Sequence, residues 1–179
     1  PMWHSAIFGP YFVVGAIFSG IAAVIVAIAV IRKVFHLEAY LKPVHFNNLG
    51  ILLLVMTLLW FYFTAAEYVT VFYGSEPGEM SIFWFKLTGR FSLLFWIDFV
   101  LCFLIPLPIL AFRKTRTILG TFIASTSIVI GMWLERYVII VPTLTRQRLS
   151  SEWATYIPTW VEWSILAGCI SFFLLLYLF

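Results

Sequence analysis

Charge is scarce in this chain. Only 11% of its 179 residues are Asp, Glu, Lys or Arg, against 63% hydrophobic residues and a mean hydropathy of +1.04. That balance excludes an ordinary soluble domain. The formal charge of +3 comes from basic residues at the ends of apolar runs, with no continuous stripe, which excludes nucleic acid as a partner. Cysteine is limited to Cys102 and Cys169. Both fall inside apolar stretches and read as small packing residues, and no cysteine grouping exists to hold zinc or an iron–sulfur cluster. The histidines are His4, His36 and His45, all outside the apolar runs, so this segment cannot hold a haem between facing imidazoles. A phosphate-cradling Gly-rich loop and a signal peptide are also missing. A self-contained catalytic site finds no support.

What the chain does have is long apolar runs, at residues 6–31, 47–73, 84–112, 117–141 and 157–179. Each exceeds the roughly 20 residues that a helix needs to cross the hydrocarbon core. Transmembrane strands would be only about 9–11 residues long and strictly alternating, and these runs are neither. The expected fold is an all-α integral membrane protein of five transmembrane helices, a four-helix bundle plus a flanking helix, forming one region over 1–179. The aromatic share of 20% suits such a protein, since Trp and Tyr collect at the lipid–water boundary. The start at Pro1 and the stop at Phe179, directly after an apolar run, read as part of a longer polypeptide.

The connections set the expected orientation. Arg32, Lys33 and Lys42 follow the first span, and Arg113, Lys114 and Arg116 follow the third. The segment Gly74-Ser75-Glu76-Pro77-Gly78-Glu79 after the second is acidic and turn-rich. The positive-inside rule places the basic connections in the cytoplasm, Pro1 on the periplasmic side and Phe179 on the cytoplasmic side, with Arg146 and Arg148 outnumbered. Pro106 and Pro108 should loosen the third span near its cytoplasmic end. Gly15, Ala16, Ser19, Gly20 and Ala23 form a small-residue face on which a neighbouring helix can pack.

Within these oily spans stand five ionisable residues: Glu67, Arg90, Asp98, Glu135 and Arg136. A charge in hydrocarbon costs several kcal/mol, so such residues face a bundle interior, pair with one another, or line a path for ions or protons. Glu67, Arg90, Glu135 and Arg136, with Glu162, fall at similar depth beneath the outer surface. They form either ion pairs that lock the helices (Glu67 with Arg90 or Arg136, Glu135 with Arg136 or Lys86) or part of a conducting layer. Asp98 lies eight residues beyond Arg90, hence about 12 Å deeper and near the bilayer middle. A carboxyl group there is suited to taking up and releasing a proton. Ser92, Ser125, Thr126 and Ser127 are the hydroxyls that would carry a hydrogen-bonded chain from it toward the cytoplasm.

Two histidines add to the picture. His4, after Trp3 at the outer interface, is either a boundary anchor or the imidazole of a site for a quinone head group, which wants an aromatic wall and a proton-exchanging partner. His45, with Asn47 and Asn48 at the cytoplasmic start of the second span, is either a proton entrance or a polar cluster of the helix end.

Three segments carry a resemblance. Trp3-His4-Ser5-Ala6-Ile7-Phe8-Gly9-Pro10-Tyr11-Phe12, Ala66-Glu67-Tyr68 with Phe72-Tyr73-Gly74, and Gly131-Met132-Trp133-Leu134-Glu135-Arg136-Tyr137 with Pro142-Thr143-Leu144 are similar to the NrfD/PsrC (polysulfide-reductase membrane subunit) family. Among its branches the nearest is the ActC type, the quinol-oxidising membrane subunit of bacterial alternative complex III. The resemblance implies a subunit of about ten helices in the bacterial inner membrane, with this chain as its C-terminal half. It implies menaquinol or ubiquinol as the substrate near the periplasmic face, with His4, Trp3 and Tyr11 at the edge of its site. It implies an iron–sulfur subunit on that face, multihaem cytochrome c subunits and a second NrfD-like membrane subunit as partners. The iron–sulfur clusters and haem c would sit in those partners, with none ligated here. Glu67, Arg90, Asp98, Glu135 and Arg136, with His45, are the positions that fit a proton route.

Two other classes of function compete with that reading. Intramembrane acids beside arginines also serve secondary transporters and ion-conducting proteins, although no matching pair of interrupted spans is present. A purely structural anchor for a redox complex, with the charges as ion-pair glue, is the third.

Overall fold

The computed structural model describes residues 6–89, 91–145 and 159–178. Its elements run α1 (Phe8–Val34), a 3-10 turn (Leu37–Ala39), α2 (Pro43–Gly74), α3 (Pro77–Leu87), α4 (Ser92–Phe99), a π turn (Val100–Leu104), α5 (Pro106–Ala111), α6 (Ile118–Thr145) and α7 (Trp160–Leu178), with no strand among the described residues. Five stretches are long and apolar enough to cross a membrane: Phe8–Val34, Pro43–Gly74, Ser92–Ala111, Ile118–Pro142 and Trp160–Leu178. The chain is an all-α integral membrane protein.

It divides into two compact units, Pro1–Leu144 and Thr145–Phe179. The second is represented by α7. Here Glu162 accepts both the backbone N–H and the hydroxyl of Thr159, the latter at 2.7 Å. This reach of an acid back to the residue that opens the helix is half of a capping box. Glu162, expected among the acids of the outer layer, is thus engaged by its own helix start.

In the first unit, α1 buries Tyr11, Gly15, Phe18, Ala22 and Ile25, a stripe advancing by alternating steps of four and three that keeps one face toward its neighbours. It meets Phe46, Leu53 and Trp60 of α2, Leu110 of α5, and Ala124, Ile128 and Met132 of α6 in one apolar core. The rings of Phe18 and Trp60 stack with centroids 6.3 Å apart. Of the expected small-residue face, Gly15 is buried in this core and Ser19 half-buried, while Ala16, Gly20 and Ala23 are exposed. The four-three rhythm starting from Tyr11 lands on Gly15 and then passes over the others.

The third span also differs from the expected continuous run over 84–112. α3 ends at Leu87, the chain turns, and a new helix starts at Ser92. The Thr88 hydroxyl donates to the Trp84 carbonyl at 3.0 Å, and a Cβ on Gly89 would stand 2.5 Å from the Phe85 carbonyl oxygen. The chain therefore folds back on the end of α3 where only glycine fits. Hydropathy misses this break because both flanks are equally apolar.

Past α4 the helix widens. The Ile105 N–H reaches the Val100 carbonyl at 2.9 Å, one residue further back than in an α-helix, and Pro106 has no N–H with which to continue that register to Leu101. Ser127 of α6 takes the freed acceptor, its hydroxyl donating to the Leu101 carbonyl at 2.7 Å. Gly131, one turn along α6, allows the close approach: a Cβ there would lie 2.5 Å from Cys102 Sγ and 3.0 Å from Leu101 Cβ. The predicted loosening by proline is real, and α6 is shaped to repair it.

Candidate functional site

α1 begins, α2 ends, α4 begins and α6 ends at the same end of the first unit, opposite the basic connections. There the buried Thr64, Lys86, Asp98 and Glu135 and the half-buried Glu67 converge. A cavity of about 670 Å³, counted with its open mouth, is lined by Tyr11 of α1, Glu67 and Tyr68 of α2, Lys86 of α3, Asp98 of α4 and Glu135 of α6, with Phe8, Phe83, Phe95 and Phe99 supplying much of its apolar wall. Three carboxyl groups from three helices thus share one space.

Glu135 is the best-held of them, at 3% exposed. Its Oε1 accepts the Tyr11 hydroxyl and, at 2.6 Å, the indole N–H of Trp60, so two donors from two other helices grip one oxygen. Oε2 has no hydrogen bond among the described residues and lies 3.9 Å from Arg136 Nη2. Consecutive helical residues diverge by about 100°, so Glu135 and Arg136 point apart and their contact is long. Arg136 instead lies over the Phe12 ring, 4.1 Å from its centroid, a cation–π arrangement. Gly15 makes room for it, since a Cβ there would stand 2.8 Å from Arg136 Nη2.

Asp98 is buried, and its Oδ1 accepts the Cys102 thiol at 3.3 Å, one turn on. Because the helix restarts at Ser92, Asp98 is only six residues, roughly 9 Å, from the helix start and reaches the same cavity as Glu67 and Glu135. The expected hydroxyl chain below it is not formed among the described residues. Ser127 donates to the Leu101 carbonyl, Thr126 donates to Phe122 within its own helix at 2.9 Å, and the buried Ser125 hydroxyl has no partner there.

The sequence offers Lys86 only as a partner for Glu135 on a continuous third span. It sits instead on α3, whose Phe83 packs against Tyr68 and Phe72 of α2 with ring centroids 5.7 and 6.0 Å away. Phe83 and Lys86, three residues apart on one face, are the buried side chains of that helix. Burial pushes the Lys86 ammonium below the ordinary lysine value, with Glu67 and Glu135 pulling the other way.

His4, Trp3 and Arg90 lie outside the described residues. Tyr11 is present, buried, and committed to Glu135. His45 is exposed in the first turn of α2, twenty-two residues and roughly 33 Å along the helix from Glu67, so the fold does not bring it to the cavity. Trp60 is the site residue that the sequence reading missed. A Trp in mid-span, away from the lipid boundary where its N–H would find water, is the available signal that a buried acceptor waits for it.

These features define a multi-pass membrane subunit with a polar cavity near one surface and, among the described residues, no cluster of His, Cys, Asp or Glu able to hold a metal. A family model described as "Polysulphide reductase, NrfD" matches residues 1–147, and the chain belongs to that family. No curated protein matches it. NrfD proteins are membrane subunits of quinol- and polysulfide-type redox complexes; they interact with quinol and work beside iron–sulfur subunits.

Proposed function

We propose that this chain belongs to the membrane subunit of a respiratory quinol-oxidising complex of the alternative complex III type, in the bacterial inner membrane. Menaquinol or ubiquinol is oxidised near the periplasmic face, at a site whose edge on this chain is His4, Trp3 and Tyr11. Its two electrons pass to an iron–sulfur partner and onward to multihaem cytochromes, beside a second NrfD-like membrane subunit. Its two protons, or protons driven by the same reaction, move through the polar groups of the bundle.

The observation that carries this reading is the convergence of Glu67, Asp98 and Glu135 from three spans on one cavity with Lys86 and Tyr11. Buried acids that share a space can exchange protons; acids scattered singly against lipid cannot. A periplasmic orientation of the cavity is supported by Arg32, Lys33, Lys42, Arg113, Lys114 and Arg116, which stand at the end away from it and favour the cytoplasm by the positive-inside rule. Arg90 and Arg136 would hold the layer's charge balance, and His45 would be a cytoplasmic entrance.

The redox step belongs to the quinol and to the cofactors of the partners. What this chain's residues supply is electrostatics and proton transfer: Glu135 held in place by Tyr11 and Trp60, and Asp98 beside it with a thiol as its hydrogen-bond donor.

The test uses the native complex in liposomes, with menadiol as quinol and ferricyanide as oxidant. Glu67→Gln and Glu135→Gln should each lower the outward proton release that accompanies quinol oxidation, with assembly intact. The scaffold reading has its own support, since Glu135 ties α1 and α2 to α6. It expects both variants to work normally once assembled.

A further inference from the structure

We infer that Lys86 is the proton-transfer residue at the outer mouth of the cavity, relaying protons from the buried acids to the external water. The inference rests on the proton-conducting reading above and adds to it a residue and a direction.

Its ground is placement. α3 is the one α-helix of the first unit, among the described residues, that is not part of a membrane span. Ser75, at a φ of 49°, closes α2 and turns the chain into it, and the break at Thr88 and Gly89 ends it. Phe83 anchors α3 on the outer end of α2 through Tyr68 and Phe72. From that position α3 carries Lys86, 5% exposed, into the wall of the cavity that holds Glu67, Asp98 and Glu135. The backbone of Lys86 is thus on the outer side of the site and its side chain is among the acids.

Residue chemistry selects the role. A lysine amine accepts and returns a proton when burial disfavours its charge, whereas an arginine in the same place would stay charged. The transfer is balanced: a carboxylic acid gives its proton to the neutral amine, leaving carboxylate and ammonium, and the ammonium then gives a proton to external water and returns to amine. The groups that set the balance are Glu67 and Tyr68 on α2, Asp98 on α4, Glu135 on α6, Tyr11 on α1, and Glu79 on α3 itself.

The decisive variant is Lys86→Arg, with Lys86→Met beside it, each in the native complex in liposomes with menadiol and ferricyanide. Lys86→Arg keeps a cation against the acids and so keeps any structural ion pairing, but it cannot cycle its proton. The rate of outward proton release driven by quinol oxidation should fall at least tenfold in both variants, and their pH profiles should lack the Lys86-dependent limb of the wild type. Wild-type proton release and an unchanged pH profile in Lys86→Arg would overturn the inference, making Lys86 a counter-ion. If Glu67→Gln and Glu135→Gln also leave proton release untouched, the conducting reading itself falls. If those two variants fail while Lys86→Arg works, only the assignment of Lys86 is lost.

Discussion

The indole N–H of Trp60 donates to Glu135 Oε1 across 2.6 Å, joining two spans through residues 75 positions apart in the chain. In a dry interior such a bond works in two ways. It fixes one carboxyl oxygen, and its loss leaves that oxygen held by the Tyr11 hydroxyl alone.

Trp60→Phe removes the donor and shrinks a fully buried ring. It should destabilise the detergent-solubilised protein by about 2–4 kcal/mol, the lost hydrogen bond and the space left behind acting together, seen as a lower Tm. Glu135→Gln keeps an acceptor for both Tyr11 and Trp60 and should leave Tm nearly unchanged, while proton-coupled turnover drops about a hundredfold or more. Equal damage to Tm and turnover in Glu135→Gln would mark the carboxylate as structural glue.

The π turn and its partner on α6 form a testable couple. Ser127→Ala removes the donor to the Leu101 carbonyl and should cost about 1–3 kcal/mol, the penalty for an orphaned buried acceptor. Pro106→Ala restores a backbone N–H able to reach that carbonyl. In the Pro106→Ala background, Ser127→Ala should cost about 1 kcal/mol less, a coupling measurable by a double-mutant cycle in Tm or denaturant midpoint.

Gly131→Ala places a methyl 2.5 Å from Cys102 Sγ and should cost about 1–3 kcal/mol by overpacking. Adding Cys102→Ala relieves the sulfur clash but not the one with Leu101 Cβ, so thermal stability should return only in part. Because Cys102 also donates to Asp98, the double variant should show altered proton release even where its fold recovers.

Burial holds the Lys86 ammonium below the ordinary lysine value of 10.5. Between the folded and unfolded values the unfolded chain binds more protons, so stability rises with pH there and is lost as pH falls through the folded value. Tm of the wild type relative to Lys86→Met should therefore climb from neutral toward pH 10.5. A difference that stays flat over that window would show that Lys86 titrates normally.

Much of this protein was legible as a linear pattern. Length and hydropathy are enough to define the spans, because a helix must satisfy its own backbone inside lipid whatever its neighbours are. The scarcity of charge made Glu67, Asp98, Glu135 and Arg136 stand out, since each is costly where it sits. Trp60 and Lys86 were harder to read. A tryptophan is unremarkable in a membrane helix, and Lys86 looked like part of a continuous span.

Sequence alone determined the class, the five spans in outline and the residues that have no business in lipid. Tertiary structure decided which of them meet. The break at Gly89 raises Asp98 to the level of Glu67 and Glu135, the four-three stripe of α1 turns Tyr11 and Gly15 inward, and α3 brings Lys86 over the cavity. The physical reason is that span formation depends on local transfer energies, whereas the side chains around a cavity depend on where a helix starts and how it is rotated. One glycine or proline can change both without altering hydropathy.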